Sequence, residues 1–386
     1  MDNLTHTLFA LTLVRTPLGQ AGRGTTAALL LASSAPDIDI VATAGGAVNY
    51  LAWHRGVTHG SFGIVGLGIA VAGLVWAGRR VYDRCHPREL SAGAAGPNAS
   101  FVMLATVSVI AVLLHVLMDI PTSYGTRLLS PFDWRWFAAD WMPIVDIYLL
   151  VILTAGLWFG RTSLAARRRN AAIVLLLMAA NYGVRSAAHH RALTLVPQIF
   201  GATLPQPCGA RGVNGGVIDG WPLPESAAAA PATGRRCLVE AAAMPSFLSP
   251  FQWRIILHVS NAYEMRDVNL LDDGLRLRDG EPNAPWRLSV RYPNIWTPIV
   301  ARAATTHTAQ VFLGFSRFPA ARSAVDPHGV TTVRFTDIRF AGGPLGLTQE
   351  ARRGNLFTAT VRIGTDGQVL AENLGIGGLS IASGTR

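Results

Sequence analysis

Three apolar runs in the first half of the chain restrict what it can fold into. They cover residues 61–78, 101–118 and 143–160, and the only charged side chain among them is Asp146. A helix of about 20 apolar residues matches the hydrocarbon thickness of a bilayer. We therefore predict that all three runs are membrane-spanning helices.

Three further segments are apolar but interrupted or short. Residues 171–188 contain Asn181, Tyr182 and Arg185, so they are a weaker candidate for a fourth span. Residues 7–14 and 25–35 are too short to cross a bilayer alone. We expect these two helices to lie half-embedded or to pack on the others.

The composition agrees with a membrane protein that carries a soluble part. Hydrophobic residues make up 50% of the chain and charged residues only 15%, against about 25% charged residues in ordinary soluble chains. The net charge is +10, and all 33 basic residues are arginines. Because the arginines are scattered, we expect them to orient the chain in the lipid bilayer, and we expect no nucleic-acid partner.

The second half of the chain has a different pattern. Residues 191–250 are rich in Gly, Pro and Ala, which predicts an irregular linker. Apolar and polar residues then alternate as in strands. We therefore predict an α+β protein, with a helical transmembrane domain over 1–190 and a smaller β-rich extramembrane domain over 251–386. The predicted strands cover residues 253–260, 286–292, 308–315, 330–340 and 356–363.

Arginine clusters predict the orientation of the helices. They follow residues 61–78 and 143–160, and cytoplasmic loops of membrane proteins are enriched in arginine. The opposite ends of the helices then face the periplasm. Four pieces of chain bring histidines and aspartates to that face, namely His6, Asp37, Asp39, His54, His59, His115 and Asp119.

Histidine and aspartate together are ligands of zinc and similar divalent ions. His115 and Asp119 are four residues apart and share one helix face. Each motif alone has a simpler interpretation, such as a structural ion pair, a hydrogen-bonded helix end or a helix cap. Several ionisable groups at a membrane edge are costly without partners, so their convergence favours a metal site.

Six short motifs occur in order within the first 190 residues: "DNLTH", "PDID", "HRGVTH", "HVLMD", "PTSYGTRLLSPF" and "FAADWMPIVD". Together they resemble the family of inner-membrane-associated metal-dependent hydrolases, some members of which are under LexA control. That family is distantly similar to zinc-dependent phospholipase C and P1-type nucleases. The resemblance implies a bacterial inner-membrane hydrolase of phosphate esters.

Two departures from the family pattern limit this resemblance. Gly60 follows the second histidine of "HRGVTH", where the family has serine. The more distant enzymes use a late glutamate ligand, but Glu89 is the only glutamate between Asp37 and Asp146. We therefore expect one or two metal ions and not three.

The expected mechanism is hydrolysis of a lipid-like or other phosphoester substrate by metal-activated water. Asp39 accepts a proton or orients a ligating imidazole, and Arg55 clamps a phosphate or anchors the chain at the headgroups. The alternatives are a metal-binding transporter and a non-catalytic envelope protein with a structural metal site. The expected ligands are His54, His59, His115 and Asp119 for one divalent ion, and His6 and Asp37 for a second. This ligand set favours zinc.

The three cysteines depend on the predicted orientation. Cys208 and Cys237 follow the last helix, so they form a disulfide in an oxidising periplasm or remain two free thiols. Cys85 lies in a predicted cytoplasmic loop and should be free. The sequence leaves the oligomeric state open.

Overall fold

The computed structural model describes residues 1–86, 97–159, 163–208, 217–222, 236–271, 290–341, 357–376 and 379–383. These residues form an α+β protein, which confirms the predicted fold class. The chain divides into two compact units, and each unit contains three separate stretches of sequence. Unit 1 comprises Met1–Ile40, Arg55–Trp134 and Met142–Arg185, and unit 2 comprises Val41–His54, Arg135–Trp141 and Ser186–Arg386.

The α-helices of the described residues lie mainly in the first half of the chain. Short 3-10 turns at Pro17–Gln20 and Pro36–Gly45 connect the first of them. The helices are α1 Asn3–Val14, α2 Thr25–Ala32, α3 Gly46–Trp53, α4 Ser61–Cys85, α5 Phe101–Asp119, α6 Ile147–Trp158, α7 Leu164–Thr194, α8 Val196–Phe200, α9 Pro298–Ala304 and α10 His307–Phe315.

Side-chain caps fix where the helices of unit 1 begin. Asp2 accepts a hydrogen bond from the backbone of Thr5 at 3.0 Å and starts α1. Ser100 and Asp146 cap α5 and α6 in the same way. Such caps satisfy backbone donors that a helix start leaves unpaired. The caps therefore set the position at which each helix enters its apolar run.

Three helices, α4, α5 and α7, are long and apolar enough to cross a membrane. A bent pair, α2 followed by Pro36–Trp53, meets the same criterion at an angle of 46°. Helix α3 within that pair packs against α10 and the strand Val369–Ile376 in unit 2, so it does not resemble a lipid-exposed span. Gly68 lets α4 approach α5 closely, because a Cβ there would lie 2.5 Å from Val109.

One predicted span differs from the structure, and the weaker candidate lies within a helix long enough to span. The run 143–160 contains a helix of only 12 residues, α6, because its capping residue Asp146 starts the helix late. The weaker candidate 171–188 lies inside α7, which has 31 residues and is a candidate span. The polar residues that interrupt it are tolerated because Arg185 pairs with Asp146, at 2.5 Å between Nη2 and Oδ2, with both side chains fully buried.

Unit 2 contains antiparallel sheets. A four-stranded sheet has the order β3-β4-β5-β6, and a five-stranded sheet has the order β11-β10-β9-β8-β7. A short pair joins β1 and β2. The strands are β1 Trp136–Ala138, β2 Asp219–Trp221, β3 Leu238–Pro245, β4 Gln252–Val259, β5 Ala262–Asn269, β6 Val290–Pro293, β7 Pro319–Val325, β8 Thr331–Asp337, β9 Phe357–Ile363, β10 Val369–Ile376 and β11 Leu379–Ser383.

The four-stranded sheet is buried on both faces. Ile255 and Leu257 of β4 pack with Val196 and Ile199 of α8. Ile256 faces the other side, among a second cluster of apolar residues that includes Phe318. This arrangement explains the three consecutive buried apolar residues, 255–257, at the centre of a strand that otherwise alternates.

One sequence prediction about this region was wrong. The segment 308–315, expected as a strand, forms α10. Its buried residues Ala309, Phe312 and Phe315 recur every three positions, which is the spacing of a helix face. The segment expected as linker, 191–250, contains the end of α7, α8, β2 and β3, while residues 209–216 and 223–235 lie outside the described residues.

A buried arginine and the disulfide are further features of unit 2. Arg317 is 2% exposed and lies 2.6 Å from Asp140, 3.0 Å from Asp219 and 3.3 Å from Glu240. Burial works against its charge, but these three carboxylates outweigh that effect and raise the pKa of Arg317.

The structure joins the Cys208–Cys237 pair in a disulfide and leaves Cys85 free and exposed.

Candidate metal centre

Five histidines and aspartates from four segments of unit 1 come together in one cluster. His6 lies on α1, Asp37 in the 3-10 turn after α2, His59 just before α4, and His115 and Asp119 at the end of α5. The cluster contains two groups of ligand atoms, and within each group all of the atoms lie within 4.8 Å of one another. The groups are His6, Asp37 and His115, and His59, His115 and Asp119.

The distances between these atoms resemble those between ligands of a common ion. The Nε2 atoms of His59 and His115 each lie 3.4 Å from Asp119 Oδ2, and His115 Nε2 lies 3.6 Å from Asp37 Oδ1. Such separations are too long for good N–H···O hydrogen bonds. Two ligands held tetrahedrally at about 2.1 Å from one zinc ion lie roughly 3.4 Å apart. The spacing therefore fits a shared metal better than direct pairing.

Several ligand atoms of the cluster lack hydrogen-bond partners in the described part of the chain, which also fits a shared metal. The Nε2 atoms of His6, His59 and His115 and the Oδ2 atom of Asp119 are buried and have no hydrogen-bond partner among the described residues. Buried polar atoms without partners are rare because each is costly. A divalent ion would satisfy several of them at once, so these residues fit a metal.

Neighbouring groups orient two of the imidazoles. His115 Nδ1 is 2.7 Å from the backbone oxygen of Ser33 and donates its proton there. This bond leaves the lone pair of Nε2 directed at the cluster. Thr58 Oγ1 is 3.0 Å from Nδ1 of His59. Thr58 is thus a further contributor to the site, visible in "HRGVTH", whereas the carbonyl of Ser33 is a backbone group that sequence patterns do not reveal.

His59 is neutral in this environment. Burial lowers its pKa to about 3, and the nearby His115 and Arg55 act in the same direction. Neutral imidazole is the form that binds metals. The centre therefore presents this ligand ready for an ion at neutral pH.

Asp39 lies behind His59. Its Oδ2 accepts a hydrogen bond from the backbone N–H of Arg55 at 2.7 Å and lies 3.7 Å from His59 Nδ1. Arg55 has a φ of +49°, which non-glycine residues seldom adopt. The hydrogen bond that Asp39 accepts stabilises this turn and so fixes the position of His59.

Asp119 has a different partner on each oxygen. Its Oδ1 lies 3.0 Å from Nη2 of Arg55 and also contacts the α-amino group of Met1. Its Oδ2 faces the imidazoles of His59 and His115. Arg55 also donates to the backbone oxygen of Gly125 at 3.1 Å, so its guanidinium is held in place. One oxygen of Asp119 is thus paired with positive charge, and the other is directed at the two imidazoles.

The cluster is least enclosed at Asp37. The side chain of Asp37 is 17% exposed, although its Oδ2 atom is buried, whereas the side chains of His59, His115 and Asp119 are fully buried. Catalytic metal sites keep a position open for water or substrate, and structural sites are closed by protein ligands. Asp37 therefore marks the side from which a substrate would approach.

His54, the remaining predicted ligand, is in neither group of ligand atoms. It is the C-cap of α3 and belongs to unit 2. Its Nε2 lies 3.1 Å from the hydroxyl of Tyr50, and the two rings stack with centroids 4.5 Å apart. Of the six predicted ligands, the structure thus brings five together.

These features define a class of protein: a multi-helix membrane protein with a buried His/Asp centre at its helix ends. Residues 1–192 match the family model described as YdjM inner membrane protein, which supports a membrane protein of the YdjM type. The match gives no support to a similarity with phospholipase C or P1 nucleases.

A second comparison is more limited. A segment of 135 residues is 27% identical to the uncharacterized protein YfhP of Bacillus subtilis (strain 168). The match covers 34% of this chain and 36% of YfhP, so the chain spans about a third of the length of that relative. No solved structure matches this chain.

Proposed function

We propose that this protein is a membrane-bound metal-dependent hydrolase that cleaves a phosphoester in a lipid or envelope substrate. The observation that carries the proposal is the set of buried, unpartnered ligand atoms, with Asp37 as the member of the cluster whose side chain is most exposed. A fully enclosed cluster would favour a structural ion, and a cluster with paired side chains would need no ion.

His59, His115 and Asp119 would hold one divalent ion, and His6 and Asp37 would contribute to a second, adjacent ion. His115 would bind only one of the two ions, because its Nδ1 donates to Ser33 and only Nε2 has a free lone pair. The ligand set favours zinc. When bound, such an ion lowers the pKa of a coordinated water toward 7 and polarises a phosphoryl oxygen. These five residues therefore support one ion or two adjacent ions.

The protein's own residues position the reactive groups. Asp39 orients His59 through the turn at Arg55 and lies close enough to its ring to stabilise a positive charge there. The guanidinium of Arg55 is occupied by Asp119. We therefore assign Arg55 to charge balance at the metal position, in preference to direct clamping of a phosphate.

The surroundings favour an amphiphilic substrate. Ile38 and Ile40, adjacent to the accessible Asp37, are 56% and 57% exposed. Phe62 and Phe132, whose rings are tilted by 43° with centroids 5.3 Å apart, are also exposed. Exposed apolar side chains of this number mark contact with lipid or with a lipid-like ligand. A substrate whose acyl chains remain in the bilayer could then present its phosphate to the centre.

The membrane location is supported by the family match and by the three candidate spans. We further propose that the centre and the β-rich unit face the periplasm, because the arginines of α4 and the start of α7 lie at the opposite helix ends. Transport sites are expected near the bilayer midplane on broken helices. The position of His115 and Asp119 at the end of α5 favours an enzyme over a transporter.

The test is metal analysis combined with hydrolysis assays on the full chain in detergent. We expect bound zinc, and hydrolysis of bis(p-nitrophenyl) phosphate or a fluorogenic phospholipid that stops on chelation and returns with Zn²⁺. Asp37→Asn should lower both activity and the content of the second metal ion, because Asp37 is a proposed ligand of that ion. His54→Ala, the matched control from the same motif, should retain both.

Two results would contradict the proposal. If the protein contains no metal after incubation with Zn²⁺, the proposed metal site does not exist. Metal-loaded protein that is inactive on all phosphodiester and phospholipid substrates, with Asp37→Asn indistinguishable from wild type, would favour a structural ion.

A further inference from the structure

An apolar groove lies between α2 and α4 in unit 1, and it is independent of the metal centre. Its volume is about 420 Å³, within the roughly 300–1,000 Å³ range of small-molecule pockets. None of its lining residues is a ligand of the proposed metal. They are Gly24, Ala27, Leu31, Leu74, Val75, Gly78, Arg79 and Tyr82.

The walls of the groove are suited to a hydrocarbon chain. Leu31 and Leu74 are 48% and 66% exposed, although both lie on strongly apolar helices. Helix α4 is a candidate membrane span, so this surface faces lipid when the protein is in a bilayer. Two of the lining residues, Ala27 and Gly78, are small and exposed. A Cβ added at Gly78 would meet no atom within 4 Å.

One end of the groove carries a fixed positive charge. Nη1 of Arg79 donates to the backbone oxygens of Arg23 and Ala99, each at 2.8 Å. In the part of the chain that the structure describes, no carboxylate forms an ion pair with Arg79. The nearby Arg23 is different, because it pairs with Asp83 at 2.9 Å. Among the described residues the charge of Arg79 is thus not paired with a carboxylate, and its two backbone acceptors fix its orientation.

We propose that this groove binds an anionic phospholipid of the surrounding bilayer. One acyl chain would lie along Leu31, Leu74 and Gly78, and the phosphate would accept hydrogen bonds from Arg79. Basic groups between membrane helices at the headgroup level are suited to anionic lipids. The apolar groove supplies the second half of the recognition, so a soluble phosphate compound should not replace the lipid.

The experiment uses delipidated full-length protein in detergent, with dioleoyl phosphatidylglycerol as the probe and dioleoyl phosphatidylcholine as the comparison. Native mass spectrometry measures bound lipid, and thermal unfolding measures stabilisation. We expect wild type to bind and be stabilised by phosphatidylglycerol in preference to phosphatidylcholine. Arg79→Gln should lower the apparent affinity about fivefold.

Gly78→Leu provides a second variant that does not disturb the hydrogen bonds of Arg79. Leucine favours the helix more than glycine does, and its side chain should fill the groove and abolish preferential binding. Two controls change the same residue types on α4 without lining the groove. Arg84→Gln removes an exposed arginine, and Gly73→Leu adds a side chain where a Cβ also meets no atom within 4 Å.

Binding by Gly78→Leu at the wild-type level would overturn the proposal, even if Arg79→Gln failed to fold. Equal binding of both lipids by wild type, or equal stabilisation by glycerol phosphate alone, would also overturn it. Loss of preferential binding in Gly78→Leu but not in Gly73→Leu would support it.

Discussion

Replacing Asp119 with asparagine tests the metal centre with the least change in shape. The side chain is fully buried, with Oδ2 at 3.4 Å from two imidazole nitrogens and Oδ1 at 3.0 Å from Arg55. The substitution removes an anionic ligand and the charge partner of Arg55 together. Loss of a ligand should cost more than the 10- to 100-fold that outer partners of metal sites contribute, so we expect metal affinity to fall more than about 100-fold.

The same variant should also lose stability. At 3.0 Å the attraction between Arg55 and Asp119 is about 5 kcal/mol for an effective dielectric constant near 20. Removing one partner of a buried pair typically costs about 3–5 kcal/mol. Thermal unfolding in detergent should therefore show a lower melting temperature, by roughly 10 °C, and elemental analysis should show less bound zinc.

Asp146→Asn is the matched control. Asp146 is equally buried and paired with Arg185, and asparagine retains its ability to cap a helix. This control should lose stability but keep its metal. Asp119→Asn with a wild-type metal content, or metal loss of the same size in both variants, would refute the reasoning.

Three further predictions concern other parts of the molecule. Gly60→Ala should destabilise the protein by about 1–3 kcal/mol and reduce metal content, because its Cβ would lie 2.2 Å from the oxygen of Ser130; equal thermal stability of variant and wild type would contradict this. Arg317→Met should destabilise unit 2 by about 3–5 kcal/mol, since three carboxylates lose their partner, and proteolysis of the β-rich unit should become faster. In intact cells, a membrane-impermeant maleimide applied from outside should label neither Cys85 nor the oxidised Cys208–Cys237 pair. After treatment with an impermeant reductant, it should label Cys208 and Cys237. Labelling of Cys85 would contradict the proposed orientation.

The sequence predicted the helical half of the fold well because apolar runs of bilayer length have few alternative structures. It predicted the helix ends less well, since these depend on individual caps such as Asp146. The segment 308–315 was assigned the wrong period because eight residues contain too few repeats to separate a strand from a helix. Its buried positions, Ala309, Phe312 and Phe315, become evident only when the helix packs.

The candidate site shows a similar division. His115 and Asp119 were predictable as a pair because they occupy one face of a helix. The sequence did not show which histidine of "HRGVTH" would join them, because that depends on the left-handed turn at Arg55. Before this turn His54 ends α3, and after it His59 enters the cluster. The pairing of Arg55 with Asp119 joins residues far apart in sequence, so no local pattern indicates it.

X-ray absorption at the zinc edge, on full-length protein purified and incubated with Zn²⁺, tests the central claim most directly. We predict nitrogen and oxygen ligands at about 2.0–2.1 Å with the scattering pattern of imidazole, and loss of that signal in Asp119→Asn. Absence of bound zinc, a sulfur shell near 2.3 Å, or an unchanged spectrum in Asp119→Asn would contradict the account.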